Sequence, residues 1–359
     1  MRIALLTGGG DCPGLNAVIR AAVRRATLHY KWDVLGSEDG FHGLYENRFR
    51  ELGPGSVRGL LHKGGTMLHS STRGNPFAYP VKLPDGTEEV RDVSDTVIAN
   101  LKARGIDGLV AIGGDGTMSM ARELGAKGVK VVGVPKTIDN DLSATDYTFG
   151  FNTAVTTATE AIDKLQTTAE SHNRVMICEV MGRYAGWIAL YAGVASAADI
   201  ILLPELPYDI DRIVEKIKAR AALGITYTIV CASEGACPKG GDRCVKVKGD
   251  KTMQEILGGV GESLAAQIRD RVAHEVRVTV LGHIQRGGQP TPFDRILGTR
   301  LGVAAVDLIA QEKFGHIAVL RGTEIASVPI VDAVGQLKLV DPFGELCNAA
   351  RATGVEFGG

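Results

Sequence analysis

The chain has 359 residues, of which 45% are hydrophobic and 23% charged, and these ordinary globular values exclude a disordered, collagen-like or disulfide-stapled protein. Lysine and arginine total 40 against 41 acidic residues, for a formal net charge of -1. Since the sequence also has no long basic run, we expect neither nucleic-acid nor membrane partners. At about 150 residues per domain, the length predicts about two domains.

Short apolar runs rich in β-branched residues recur along the chain, and each ends at a glycine or a polar turn. Runs that are apolar on both faces are typical of parallel strands covered by helices, so we predict an α/β fold. The predicted strands are 3–6, 109–112, 129–134, 175–180, 226–231 and 277–281. Helices are predicted at 16–25 and 209–221. The apolar window 187–203 favours a buried helix and a strand over a membrane span.

Glycine is unusually frequent, with 46 residues, against an average share of about 7%, which indicates that some site needs bare backbone. The cysteines form no Cys-x-x-Cys pair and no cluster with histidine, so we expect them to be reduced and mostly buried in a cytoplasmic protein. They are Cys12, Cys178, Cys231, Cys237, Cys244 and Cys347. The apolar stretch 1–7 is too short for a signal peptide.

A glycine-rich loop, 7–14 (Thr-Gly-Gly-Gly-Asp-Cys-Pro-Gly), follows the first predicted strand and leads into a helix. Such a loop exposes backbone N–H groups and a helix N-terminus, which predicts a phosphate-binding loop. Pro13 stands where a dinucleotide motif needs its third glycine, and no Gly-Lys-Ser/Thr follows as in a P-loop. A tight turn without a ligand is the alternative.

Acidic residues follow the next two predicted strands. In 112–117 (Ile-Gly-Gly-Asp-Gly-Thr), three glycines let a polyphosphate approach the backbone, and Asp115 is placed to hold Mg²⁺ against it. The loop 135–141 (Pro-Lys-Thr-Ile-Asp-Asn-Asp) places Asp139 and Asp141 two residues apart. We interpret one carboxylate as a proton acceptor and the other as a metal ligand or orienting group, with a solvated loop as the alternative.

Two later strand ends supply cationic side chains. Met181-Gly182-Arg183 follows one strand, and 282–288 (Gly-His-Ile-Gln-Arg-Gly-Gly) follows another. Arg183, His283 and Arg286 are therefore available to phosphate oxygens. A single arginine is more often part of a surface ion pair, but several at strand ends beside a magnesium-type aspartate favour a phosphorylated substrate.

These motifs, in this order, resemble those of the 6-phosphofructokinase family from Arg2 to about Asp341. NAD kinases and diacylglycerol kinases carry a loop similar to 113–117, whereas 137–141, 181–183 and 282–288 together are highly specific. The resemblance implies two doubly wound, largely parallel-sheet domains with the active site in the cleft between them. The implied domains are 1–150 plus about 285–335 for the phosphoryl donor, and 151–284 plus about 336–359 for the sugar phosphate.

The resemblance also implies Mg²⁺-dependent transfer of the ATP γ-phosphoryl group to the 1-hydroxyl of fructose 6-phosphate, a step of glycolysis. By the family pattern, Asp139 is the base, Thr137 contacts the sugar end, Arg183 neutralises charge on the transferred group, and Asp115 holds Mg²⁺. The implied donor contacts are Gly10, Arg73, Gly74, Gly114, Asp115, Gly116 and Thr117. The implied sugar-phosphate contacts are Thr137, Ile138, Asp139, Met181, Gly182, Arg183, Glu234, His283, Ile284, Gln285 and Arg286.

Two arginines and two donor-side positions complete the implied site. Arg174 and Arg277 match family positions that reach into a neighbouring subunit's site, which implies a homodimer or homotetramer. Gly116 is the residue of ATP users, because a side chain there would fill the space of the nucleotide's α-phosphate, whereas Lys136 is typical of pyrophosphate users. This mixture resembles the mixed-substrate branch of the family.

We give Gly116 more weight than Lys136, because steric and like-charge exclusion is harder to evade than an added lysine. ATP is therefore the expected donor. A pyrophosphate-dependent enzyme and a non-catalytic sugar-phosphate-sensing protein on the same fold are the alternatives.

Overall fold

The structure, a computed structural model, describes residues 1–249 and 255–359. Those residues form sixteen strands and ten α-helices. The strands are β1 (Arg2–Thr7), β2 (Asp33–Ser37), β3 (Phe49–Leu52), β4 (Tyr79–Lys82), β5 (Glu88–Arg91), β6 (Gly108–Gly113), β7 (Val131–Thr137), β8 (Phe149–Gly150), β9 (Arg174–Val180), β10 (Ile200–Leu202), β11 (Thr228–Ser233), β12 (Val245–Val247), β13 (Ile256–Leu257), β14 (Glu275–Val280), β15 (His316–Arg321) and β16 (Glu324–Pro329). The helices are α1 (Leu15–Arg24), α2 (Phe41–Tyr45), α3 (Ser94–Ala103), α4 (Asp115–Ala126), α5 (Phe151–His172), α6 (Trp187–Ala195), α7 (Ile210–Ala222), α8 (Val260–Ile268), α9 (Pro292–Ala310) and α10 (Glu345–Ala352).

The larger sheet has eight strands. Its order is β16-β15-β7-β6-β1-β2-β3, and β8 pairs with β7. Strands β15, β7, β6, β1 and β2 run parallel, while β3 and β16 close the two edges as antiparallel strands. All six residues of β6 are buried, as expected for a strand covered by helices on both faces.

The smaller sheet has four strands in the order β10-β11-β9-β14, and all of its pairs are parallel. Strand β11 is buried along its whole length. Strand β14 is an edge strand with several exposed residues. Two short antiparallel hairpins, β4–β5 and β12–β13, lie outside both sheets.

Helices α1 and α9 cross at close range in the core, because α9 carries glycine where they meet. A Cβ atom at Gly302 would lie 2.5 Å from the Val18 carbonyl oxygen, and one at Gly298 would lie 3.1 Å from the Gly14 carbonyl oxygen. One hydrophobic cluster includes side chains from both sheets. The strand ends of the two sheets are therefore held in a fixed relation by a shared core.

The α/β prediction and each of the six predicted strands are confirmed, with boundary shifts of up to three residues. The window 187–203 forms α6 and β10, as predicted. Within residues 1–249 and 255–359, no helix combines the length and apolar character needed to cross a membrane. Strands β15 and β16 join the larger sheet, but the domain boundaries stay a prediction.

The prediction for the cysteines is also confirmed. All six are free thiols, and Cys12, Cys178, Cys231 and Cys347 are buried.

Helix α7 begins after Asp209, whose side chain accepts a hydrogen bond from the Asp211 N–H as an N-cap.

Candidate active site

The carboxyl ends of β1, β6 and β7 lie side by side at one edge of the larger sheet, because these strands are adjacent and parallel. The ends of β11, β9 and β14 share an edge of the smaller sheet for the same reason. The two edges meet where Arg286 Nη1 donates a hydrogen bond to the Asp11 carbonyl oxygen at 3.1 Å. A ligand site at this junction is where a doubly wound fold places one.

The loop after β1 packs against two cationic side chains. A Cβ atom at Gly10 would lie 2.9 Å from Arg286 Nη1, and one at Gly9 would lie 3.4 Å from Lys136 Nζ. Lys136 is 4% exposed, and its Nζ donates a hydrogen bond to the Gly10 carbonyl oxygen. Burial lowers the pKa of Lys136. Two cationic side chains beside glycine backbone that carries no side chain make this loop suitable for an anion.

The loop between β6 and α4 is also rich in glycine. A Cβ atom at Gly114 would lie 3.3 Å from the Lys136 carbonyl oxygen. Thr117 is buried, and its Oγ1 would lie 2.6 Å from a Cβ atom at Gly8, so it links this loop to the one after β1. Gly116 is exposed, and a Cβ atom there would meet nothing within 4 Å. The space above Gly116 is therefore open.

Asp115 is the carboxylate predicted to hold a metal ion. Its Oδ1 accepts a hydrogen bond from the Gly335 N–H at 2.9 Å. In the described part of the chain, no three His, Cys, Asp or Glu side chains are grouped as a protein-built metal site requires. Because Mg²⁺ is often held by one or two carboxylates plus substrate phosphates, these residues fit an ion that arrives with a polyphosphate.

The loop after β7 contains a buried, unpaired carboxylate oxygen. Asp139 is 6% exposed, and its N–H donates to Thr137 Oγ1 at 3.0 Å. Its Oδ1 is buried without a hydrogen-bond partner among the described residues. Asn140 adopts a positive φ of 53°, and the Ile138 side chain lies in the core, which leaves only its backbone available to a ligand. A buried carboxylate oxygen such as Asp139 Oδ1 destabilises the fold unless a ligand donates a hydrogen bond to it.

Several carboxylates crowd this junction. Burial, with a further contribution from the nearby Asp139 carboxylate, raises the pKa of Asp141 to about 7. Burial also raises the pKa of Glu234 to about 7, again with a contribution from Asp139. Carboxyl groups that take up protons near neutral pH are typical of sites that bind charged ligands or move protons.

The ends of β9 and β11 place the predicted sugar-phosphate residues together. The Arg183 N–H donates to Glu234 Oε1 at 3.2 Å, and Arg183 adopts a positive φ of 49°. Gly182, with φ 144°, allows the sharp turn between β9 and Arg183. The Met181 N–H donates to Gln285 Oε1 at 3.4 Å, which joins this turn to the loop after β14.

That loop is a 3-10 turn, Gly282–Arg286. Gln285 is buried, and its side chain also donates to the Gly282 carbonyl oxygen at 3.1 Å. His283 is exposed, and Ile284 is 59% exposed. The turn thus presents His283 and Ile284 to solvent while Arg286 reaches back to the loop after β1.

The segment that contains Arg73 and Gly74 lies beside the loop after β1. The Gly9 N–H donates to the Ser71 carbonyl oxygen at 3.0 Å, and Ser70 Oγ donates to the Gly9 carbonyl oxygen at 2.6 Å. Arg73 is exposed, whereas Gly74 is buried and has a φ of 99°.

Arg174 and Arg277 do not join the chain's own site. Arg174 begins β9, and its side chain pairs with Glu275 on β14. Arg277, which also pairs with Glu275, is 57% exposed on the edge strand. Since a strand advances about 3.3 Å per residue, the start of β9 lies roughly 20 Å from its site-forming end.

Sequence reasoning missed the segment 333–341, which crosses between the sheets beside the site. Gly335 bonds to Asp115, the Lys338 N–H donates to the Asp141 carbonyl oxygen at 2.8 Å, and Trp187 Nε1 donates to the Lys338 carbonyl oxygen at 2.7 Å. The contacts with Asp115 and Asp141 use backbone N–H groups of this segment, so no side-chain pattern in the sequence marks them.

Comparisons with known proteins agree with this geometry. The family model described as Phosphofructokinase matches residues 2–309. ATP-dependent 6-phosphofructokinase 2 of Clostridium perfringens is 54% identical over 358 residues, which cover 99% of this chain and 98% of that protein. Pyrophosphate--fructose 6-phosphate 1-phosphotransferase of Streptomyces coelicolor is 50% identical over 344 residues, 95% of this chain and 97% of that protein. Phosphofructokinase of Pichia pastoris, a crystal structure in the T-state, matches with a TM-score of 0.79 and 29% identity, over 92% of this chain and 35% of that one.

Proposed function

The chain belongs to the phosphofructokinase family, and from this premise we propose that it transfers the γ-phosphoryl group of ATP to the 1-hydroxyl of fructose 6-phosphate. The products are fructose 1,6-bisphosphate and ADP. The observation that carries the proposal is Asp139 Oδ1, a buried carboxylate oxygen without a partner in the described part of the chain. A substrate hydroxyl would donate the hydrogen bond that this oxygen lacks.

Asp139 acts as the general base in this proposal. It accepts the proton of the 1-hydroxyl while the hydroxyl oxygen bonds to the γ-phosphorus, and the bond from that phosphorus to the β,γ-bridging oxygen breaks to release ADP. Arg183 neutralises negative charge on the group in transfer. A loose transition state needs positioning and charge neutralisation more than covalent help, so these two side chains and a metal suffice.

We assign the metal as Mg²⁺, held by Asp115 together with phosphate oxygens of the donor. When bound, Mg²⁺ neutralises charge on those phosphates. The same donor would contact Gly10, Arg73, Gly74 and residues 114–117. The open space above Gly116, where a Cβ atom would meet nothing within 4 Å, supports a nucleotide there.

Pyrophosphate is the second candidate donor, and Lys136 is the observation that favours it. The Lys136 ammonium, however, is buried against the chain's own Gly10 carbonyl oxygen. An incoming phosphate would therefore have to share the Lys136 ammonium with the Gly10 carbonyl oxygen, which weakens the attraction of this lysine for pyrophosphate. We therefore propose ATP as the better donor.

The sugar phosphate is proposed to bind between the loops after β9, β11 and β14. Glu234 would accept a hydrogen bond from a sugar hydroxyl, and His283 and Arg286 would bind the phosphate. Arg174 and Arg277, which both pair with Glu275, would reach the site of a neighbouring copy in a homodimer or homotetramer. With these substrates we place the enzyme in the cytoplasm.

A donor panel tests the proposal. The purified protein receives fructose 6-phosphate and Mg²⁺ with ATP, GTP or pyrophosphate at matched concentration, and fructose 1,6-bisphosphate is measured. We expect the highest kcat/KM with ATP. A higher kcat/KM with pyrophosphate would instead mean that Lys136 predicts the donor better than Gly116 does. If no donor gave a product, the proposed reaction class would be refuted.

A further inference from the structure

The backbone of Gly74 rests against an imidazole ring from another part of the chain. A Cβ atom at Gly74 would lie 2.8 Å from His42 Cδ2, 2.9 Å from its Nε2 and 3.1 Å from its Cε1. Gly74 is buried and has a φ of 99°, so both the conformation and the contact require glycine. His42 therefore fixes where this turn lies.

His42 is itself held by Tyr79, the first residue of β4. The His42 Nδ1 and the Tyr79 hydroxyl lie 2.7 Å apart, and Tyr79 is 5% exposed. The Tyr79 ring packs on Tyr45, with 4.4 Å between ring centroids. Burial lowers the pKa of His42, so at neutral pH the ring is uncharged and one nitrogen accepts a hydrogen bond.

We propose that His42 and Tyr79 are positioning residues for the phosphoryl donor, because they fix Gly74 and, through it, Arg73. The inference rests on the proposed function, which places Arg73 and Gly74 at the donor. The residues proposed to bind the phosphate group of fructose 6-phosphate come from the loop after β14, in the other sheet. Loss of the pair should therefore weaken donor binding and leave fructose 6-phosphate binding unchanged, which a general loss of stability would not do.

Tyr79→Phe tests the pair with the smallest change, since it removes one hydroxyl and keeps the ring. We expect the KM for ATP to rise about 3- to 10-fold, the equivalent of about one ordinary hydrogen bond, with kcat and the KM for fructose 6-phosphate unchanged. Tyr45→Phe is the matched control, because it removes a hydroxyl from the neighbouring ring and should behave as wild type. Equal changes in both KM values, or none, would overturn the inference.

A double-mutant cycle checks that the two residues act through one bond. If they do, Tyr79→Phe combined with His42→Leu weakens ATP binding no more than His42→Leu alone. Additive losses would contradict a shared role. The melting temperature of each variant, measured alongside, identifies any variant that fails to fold. If His42→Leu fails to fold, the KM values of Tyr79→Phe alone decide whether the inference holds.

ADP binding measured by calorimetry separates this inference from the proposed function. Weaker ADP binding in Tyr79→Phe, but not in Tyr45→Phe, supports the inference even if wild type proves unable to phosphorylate fructose 6-phosphate from ATP. Equal ADP affinity in wild type and both variants overturns the inference and leaves the proposed function standing. A wild-type protein that binds no ADP overturns both.

Discussion

Replacing Gly116 by aspartate should abolish the use of ATP and leave the fold intact. Gly116 lies in the first turn of α4, and a Cβ atom there meets nothing within 4 Å. A carboxylate in the first turn of a helix is also favoured by the helix dipole, by about 0.3–1 kcal/mol. We therefore expect the melting temperature of Gly116→Asp to equal or slightly exceed that of wild type.

The loss of activity comes from charge repulsion against the nucleotide's phosphates. Two unit charges about 4 Å apart repel by about 4 kcal/mol at an effective dielectric near 20. Since about 1.4 kcal/mol corresponds to a tenfold change, kcat/KM for ATP should fall by nearly three orders of magnitude. Pyrophosphate has no adenosine end to accommodate, so its kcat/KM should fall less or even rise beside Lys136.

Gly116→Asn is the matched control, because asparagine has nearly the shape of aspartate without its charge. The assay is the initial rate of ADP formation over a range of ATP concentrations at saturating fructose 6-phosphate. We expect Gly116→Asn to keep clearly more ATP activity than Gly116→Asp. Equal losses would mean that bulk alone excludes the nucleotide, and full ATP activity in Gly116→Asp would refute the assignment of Gly116 to the donor site.

Three further predictions concern the base, the neighbouring subunit and the buried glutamate. Asp139→Asn should lower kcat about 10²- to 10⁴-fold, the usual share of a general base, with KM values nearly unchanged, and full activity would contradict its role. Arg277→Ala and Asp139→Ala, each inactive, should regain activity as mixed oligomers, whereas a fully active monomer on gel filtration would contradict shared sites. The pKa of Glu234 is raised from 4.5 to about 7 in the folded protein, so the proton that it binds there favours folding at low pH, and this contribution is lost as the pH rises through 7. Glu234→Gln should therefore gain more in melting temperature over wild type at pH 8 than at pH 5, and an equal shift at both would contradict the raised pKa.

Much of the strand-end architecture is predictable from the sequence, because its signals are local. The run 109–112 is apolar throughout, as a strand covered on both faces must be, and it forms the middle of β6. Gly114 is the N-cap of α4, and Asp115 and Gly116 are the first two residues of that helix. The turn at 181–183 likewise follows a buried strand directly, as predicted.

Contacts between distant segments could not be predicted in this way. Lys136 and Gly10 are 126 residues apart, and no periodicity links them. Strand β5 is exposed along its whole length, so it lacks the alternation by which a half-buried strand is recognised. Helix α5 carries several threonines, which lower helix propensity, and its 22 residues were not predicted as a helix.

Transfer of label from ATP carrying a radioactive γ-phosphate tests the central claim most directly. Wild type and Asp139→Asn receive the labelled ATP, fructose 6-phosphate and Mg²⁺, and the label is followed at the 1-position of the sugar. We predict that wild type moves the label into fructose 1,6-bisphosphate, one per ADP formed, and that Asp139→Asn does so slower by about two orders of magnitude or more. Label transfer at equal rates in the two proteins, or none in wild type, would contradict the account.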